Sequence, residues 1–185
     1  MTLRIVRGFT LIVDDDVNLH LDLETLKLPT LEEITETYQP GGSDLQIDVS
    51  GLGVKALSMQ MKIRSHTPEI IGIFGGPPGL RHKFTGKKHV ISEEDGREHE
   101  HSIDVTGRLV KVDSEGLTAG KATGYDCEIK NIWDYTEFWD GSVLHRFSFK
   151  RGGWLVRNGQ EIGSRRRSIL NLSAFIIDRA LIYRN

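Results

Sequence analysis

A few places in the chain carry residue types that could do chemistry. His99-Glu100-His101 would set two imidazoles on one face of a strand, where side chains repeat every second residue, and His82 and His89 lie in the same polar stretch. That is the start of a surface metal site, but the spacing fixes no third ligand. Asp95, Arg97 and Glu98 surround the pair, so a solvated loop is the expected reading, with no metal and no cofactor. Gly116-Leu117-Thr118-Ala119-Gly120-Lys121-Ala122-Thr123 has the outline of a phosphate-binding loop. Its glycines stand one residue too close, and Ala122 occupies the place of the magnesium-ligating hydroxyl, so a glycine-rich turn is expected. Cys127 is the only cysteine and sits between Asp126 and Glu128, whose charges disfavour a thiolate. It reads as a small buried residue and excludes an intramolecular disulfide and a multi-thiolate zinc site.

Two further clusters suit binding rather than bond-making. Arg165-Arg166-Arg167 is the one dense basic run. It has the chemistry to contact phosphate, but with carboxylates plentiful elsewhere the expected role is pairing at an interface or on the surface. Trp133, Tyr135, Phe138 and Trp139 alternate with polar residues, either as a platform for stacking bases or as aromatic pairs across a hairpin. No acid/base pair or nucleophile has catalytic spacing, so the chain is not expected to be an enzyme.

The elements that position these residues are mostly strands. Among 185 residues, 24 Lys and Arg oppose 26 Asp and Glu, a net charge of −2 that argues against an electrostatic nucleic-acid binder. No uninterrupted apolar stretch is long enough to span a membrane, and the N-terminal apolar run ends too soon at Asp14-Asp15-Asp16 for a signal segment. Twenty glycines and pervasive period-two alternation predict an all-β plan. Strands are expected over 4–13 and 18–28, joined by the Asp14-Asp15-Asp16 turn, then an extended segment reaching Tyr38 and closed by Pro40-Gly41-Gly42. Leu45, Ile47 and Val49, then Leu57, Met59, Met61 and Ile63 beyond Gly51-Leu52-Gly53, predict a long hairpin over 42–64 with one apolar face. Thr67 as N-cap, Pro68, Glu69 and Gly75 predict a short helix. Residues 80–102 read as an exposed loop or mobile hairpin. Strands follow over 103–113, 124–135 and 142–150, with turns at Asp140-Gly141 and Asn158-Gly159. From Ser168, Ile169, Leu172, Ile176 and Ala180 recur at helical spacing, a terminal helix or arm.

Two blocks taken together resemble the major tail tube protein of contractile-tailed bacteriophages. One is Leu26-Lys27-Leu28-Pro29-Thr30-Leu31, a polar strand to Tyr38, Gly41-Gly42, Ile47-Asp48-Val49, Gly51-Leu52-Gly53 and Ala56-Leu57. The other is Trp133-Asp134-Tyr135 through Asp140-Gly141, Val156-Arg157-Asn158-Gly159 and Arg165-Arg166-Arg167 with Ile169-Leu170. The resemblance implies a mainly β, sandwich or barrel-like domain over 1–170 with a flanking short helix and a long assembly hairpin, and 171–185 as a C-terminal extension. It implies a structural virion protein: hexameric rings of itself stack into the tube inside a contractile sheath. The partners implied are the tail sheath, tape measure, baseplate and tail terminator proteins, with double-stranded DNA passing unbound and no membrane. The protein would sit in the virion tail, and in the host cytoplasm during assembly. Related tubes occur in tailocins and type VI secretion systems.

Within that frame, Gly41, Gly42, Leu45, Ile47, Val49, Gly51, Gly53, Leu57, Met59 and Met61 are expected to build the inter-subunit hairpin, its glycines letting it bend on assembly. Its opposite face, Gln46, Asp48, Ser50, Ser58 and Gln60, is expected to line the channel, joined by Asp104, Asp126 and Glu128 from later strands. Fixed carboxylates with few cations would make a wall that repels DNA. Lys62 and Arg64 disturb this unless they turn to an interface. The competing class is a monomeric β-barrel that binds a small ligand or a single strand on Trp133, Tyr135 and Trp139.

Overall fold

Turn residues punctuate the chain where the backbone needs a positive φ, and the strands lie between them. In the computed structural model, residues 2–120 and 122–172 are described. The strands are β1 (Arg4–Val13), β2 (Val17–Asn18), β3 (Leu23–Lys27), β4 (Glu36–Tyr38), β5 (Ile47–Val49) and β6 (Met59–Ile63), followed by helix α1 (Pro68–Gly72). Then come β7 (His82–Ser92), β8 (Glu98–Ser114), β9 (Tyr125–Trp139), β10 (Ser142–Ser148), a 3-10 turn (Phe149–Arg151), β11 (Gly153–Arg157), β12 (Gln160–Glu161) and α2 (Ser164–Ile169). The chain is mainly β, as expected, and α1 is the short helix expected after Thr67, whereas α2 begins before the expected terminal helix. The terminal helix expected to run on through Ile176 and Ala180 lies largely outside the described residues.

The chain divides into two compact units that share the long strands β8 and β9. The first holds 1–18, 83–106 and 133 onward. Its strands follow the antiparallel order β12-β11-β10-β9-β8-β7-β1-β2. Asp14 (φ 51°) and Asp15 (φ 60°) turn β1 into β2, and Asp140 (φ 47°) with Gly141 (φ 77°) turns β9 into β10. Such left-handed pairs match the twist of flanking strands, which is why Asp-Asp and Asp-Gly sit there. Leu11, Val13, Phe84, Val90, Ile103, Val105, Tyr135 and Leu155 form the core of this unit.

Residues 80–102 are not an exposed loop. They form β7, the 93–97 turn and the start of β8, and β7 lies between β8 and β1. Most of the charged residues that made the segment look solvated lie in the turn or on the outward face, whereas Lys88 points inward near Glu137. Phe84, Val90 and Ser92 alternate inward on β7, as do His101, Ile103 and Val105 on β8.

The second unit holds 19–82 and 107–132. β6 is its central strand, paired with β3 on one side and with the start of β9 on the other. Leu19, Leu57, Met59, Met61, Ile63, Ile70, Leu109, Cys127 and Ile129 are buried in it. Gly124 permits the closest approach: a Cβ there would stand 1.6 Å from the Ile63 carbonyl oxygen. Thr67 takes the extended N-cap conformation before α1 but makes no capping bond, its hydroxyl pairing with Ser65 at 3.0 Å instead. Leu21, expected in a strand, lies in a turn and is exposed.

The expected hairpin over 42–64 is not formed. β5 pairs with β4, in the register Glu36↔Val49, Thr37↔Asp48 and Tyr38↔Ile47, and β6 pairs elsewhere. A long hairpin exists, but about ten residues earlier. Its base is zipped by the Glu33↔Val54 bridge, by Ile34 N donating to Gly53 O at 2.9 Å, and by Lys55 N donating to Glu32 O at 2.9 Å. Two apolar alternations lie side by side in the sequence, and each finds a different partner strand.

Candidate assembly surface

The 32–55 hairpin gathers a cluster of exposed apolar side chains in the second unit. Antiparallel pairing puts Tyr38, Ile47, Glu36 and Val49 on one face and Thr37 with Asp48 on the other. The polar face is internally satisfied. Thr37 Oγ1 donates to Asp48 Oδ1 at 2.7 Å, and Gln46 Nε2 donates to Gln39 Oε1 at 3.0 Å. The apolar face is open: Tyr38 is 55 %, Ile47 54 % and Val49 39 % exposed, and Leu45 at the tip 69 %. Leu45, Ile47 and Val49 are therefore exposed, whereas Leu57, Met59 and Met61, assigned to the same hairpin by the sequence, are buried in the unit.

The glycines divide in the same way. Gly51 (φ 79°) and Gly53 (φ 149°) hold backbone that other residues rarely adopt, between tip and base. Gly41 and Gly42, in the tip turn, have no such φ, and a Cβ on either meets nothing within 4 Å. Nothing inside the chain demands glycine at those two positions.

The residues expected to line the channel are not brought together as one set. Gln46, Asp48 and Ser50 are exposed on and beside β5, and Ser58 precedes β6. Asp104 belongs to the other unit, where it accepts from Thr85 Oγ1 at 2.8 Å and stands 3.9 Å from Lys83 Nζ. Gln60, Asp126 and Glu128 do share a face, since β6 and β9 pair Gln60 with Glu128 and Lys62 with Asp126.

That face is not poor in cations, which corrects the expectation. Lys62 Nζ lies 2.5 Å from Glu115 and 3.8 Å from Glu24, while Arg64 grips Glu24 through two bonds of 2.6 Å. Lys130 pairs with Glu128 at 3.1 Å and Lys111 with Asp113 at 2.9 Å. The Glu115 hydrogen bond raises the Lys62 pKa, and the Arg64 hydrogen bond lowers that of Glu24. Lys130 shares the parity of Asp126 and Glu128 and was legible from alternation, but Glu24 and Glu115 reach this face only through the fold.

Most of the remaining motifs fall in the first unit. His101 is only 8 % exposed, not solvated. Its Nε2 donates to Glu137 at 2.7 Å, the same carboxylate that receives His145 Nδ1 at 3.0 Å and the Tyr135 hydroxyl at 3.0 Å. Three donors hold the Glu137 pKa down at about 2, with the His101 bond the largest cause. His99 bonds Asp140 at 2.7 Å instead, so the two imidazoles do not converge, and the described residues hold no cluster suited to a metal ion. The aromatic run packs against its own chain. Tyr135 is buried, Trp133 packs on Phe149, and Trp139 lies against His99, His101 and Arg4. Cys127 is buried, and desolvation lifts its thiol to about 11. Arg167 bonds Glu161 and the Ile162 carbonyl, both at 2.7 Å, whereas Arg165 and Arg166 stay exposed. No helix among the described residues is long and apolar enough to cross a membrane.

β1 offers a second unfinished surface. β7 covers one side along its length, but β2 covers the other only at Ile12 and Val13. The edge from Arg4 to Leu11 thus has no strand beside it among the described residues, and Ile5, Val6 and Phe9 on it are exposed. Open edges and uncovered apolar ribbons are what natural monomers avoid.

No curated protein matches this chain. The family model for phage tail tube protein FII matches residues 3–170, nearly the whole chain. This all-β chain with an open edge and an uncovered hairpin belongs to the phage tail tube protein FII family, and is a structural component of the virion tail.

Proposed function

We propose that the protein polymerises as hexameric rings that stack into the inner tube of a contractile tail, the conduit for DNA when the sheath contracts. The observation that carries this is the 32–55 hairpin. A two-stranded ribbon is marginal in water by itself, yet this one leaves Tyr38, Ile47 and Val49 exposed among the described residues. A tube needs a lateral contact that closes and an axial contact that repeats without closing. The hairpin and the β1 edge are two distinct surfaces able to serve these contacts.

The channel wall in this reading works by neutralisation rather than by lack of cations. Lys62, Arg64, Lys111 and Lys130 are each held by a carboxylate of the same chain. Engaged cations release few counterions to passing phosphate, so DNA gains little by adhering. Sheath, tape measure, baseplate and terminator proteins would be the other partners, with assembly in the host cytoplasm.

The test is assembly of the purified protein. Concentrated samples examined by sizing and negative-stain microscopy should show six-membered rings or tubes of one diameter. A monomer at every concentration would refute the reading.

A further inference from the structure

The far edge of the first unit carries a surface that stays exposed among the described residues. Leu172 packs so closely on Gly152 that a Cβ there would stand 2.8 Å from its Cδ1, which seats the end of α2 beside the 3-10 turn. The result is a platform of exposed Phe149 (64 %), Ile169 (72 %) and Leu170 (54 %). Around it lie Lys150, whose ammonium sits over the Trp133 ring at 5.2 Å, and the exposed Arg165 and Arg166. From Ser142 to Leu172 the sequence holds seven cations and one carboxylate, Glu161, which Arg167 already engages.

At the opposite edge of the same sheet the β1–β2 turn carries three successive carboxylates. Asp14, Asp15 and Asp16 are all exposed in the β1–β2 turn. Lys83 meets the first two: its backbone N–H donates to Asp14 Oδ1 and its Nζ pairs with Asp15. Asp16 faces solvent. The two edges also stand level along the strands. β1 ends opposite β7 at Val13↔Phe84, β7 meets β8 through Thr85 and Asp104, and β9 meets the end of β10 at Asp134↔Ser148. Five strand spacings separate β1 from β11, about 24 Å.

We infer that the platform of Phe149, Ile169, Leu170, Lys150, Arg165 and Arg166 docks laterally on a second copy of this chain, against its Asp14-Asp15-Asp16 turn. The inference rests on the tube-forming reading. Charge complementarity selects the occupant: an apolar centre ringed by cations fits the exposed turn of carboxylates that follows β1. Because the two surfaces differ and sit on opposite edges, the contact is heterologous, and copies joined this way form a ring when the rotation closes.

The experiment is disulfide trapping in the full chain carrying Asp16→Cys and Arg166→Cys. The sole native cysteine, Cys127, is buried, so background is low. A bond formed within one chain leaves the protein at monomer mass and adds nothing to a ladder, so only bonds between copies are read. Oxidising assembled material should give a ladder of covalent oligomers that stops at one ring. Tubes that form with no ladder would overturn the inference and leave the tube reading standing. Wild-type protein that never assembles would overturn both. Charge exchange is the second arm, independent of the cysteines: Arg166→Glu should reduce assembly at least about tenfold, and adding Asp16→Lys should restore it. Equal loss in the single and double variants would also overturn the inference.

Discussion

Replacing Glu137 by Gln tests whether one carboxylate organises the inner face of the first unit. Its oxygens receive His101, His145 and the Tyr135 hydroxyl, and the Lys88 ammonium is the further charge near it. The side chain is only 16 % exposed, so solvent screens these bonds little. Its pKa falls from the ordinary 4.5 to about 2. At about 1.36 kcal/mol per unit, that shift is worth about 3 kcal/mol of stability. Because the folded value is depressed, this stability is present in full above pH 4.5 and is lost as pH falls through 2. Glu137→Gln removes it, leaving an amide whose N–H₂ faces other donors. The variant should melt about 6 to 12 °C below the parent at pH 7, and the gap should shrink steadily as the pH is lowered toward 2. Thermal melts followed by tryptophan fluorescence suit the assay, since Trp139 lies 5.7 Å from His101 and Trp154 lies 5.8 Å from His145. A gap of constant size from pH 7 to pH 2.5, or no gap, would refute the reasoning.

The other predictions separate folding from assembly. Gly42→Val should fold normally, because a Cβ there meets nothing, yet fail to assemble if the tip inserts between copies; full-length tubes in negative stain would contradict this. Tyr38→Ser with Ile47→Ser should change the unfolding free energy from chemical denaturation by no more than about 0.5 kcal/mol, since both side chains are already exposed, while abolishing tubes. Gly124→Ala should have the reverse profile. Its new methyl has no room beside the Ile63 carbonyl, and a loss of at least about 2 kcal/mol is expected in urea melts. Asp48→Lys should leave rings intact and slow DNA ejection from reconstituted particles; unchanged ejection kinetics would remove Asp48 from the channel wall.

What the sequence made legible was local. Asp14-Asp15, Asp140-Gly141 and Asn158-Gly159 are turns because those residue types tolerate the left-handed backbone found there. Pro68 opens α1 for an equally local reason. Partner choice was not legible, since it depends on contacts far apart in sequence. Ile47 and Val49 alternate as regularly as Met59 and Met61, yet the first pair meets β4 at the surface and the second meets β3 and β9 in the core. The same limit hid β7. Its Lys87, Lys88 and His89 looked like loop, although the strand is flanked on both sides and needs only one apolar face. The charge balance around Asp126 and Glu128 stayed hidden because Glu24 and Glu115 arrive from distant segments.

Hydrogen exchange across residues 32–55, measured on the monomer and on the assembled protein, tests the central claim most directly. The bonds that close this hairpin lie at the surface and should exchange fast in the monomer. Assembly through the apolar face should slow the amides of 36–38 and 47–49 by at least about a hundredfold. Tubes in which those amides exchange at the monomer rate would show that the hairpin is not where the copies meet.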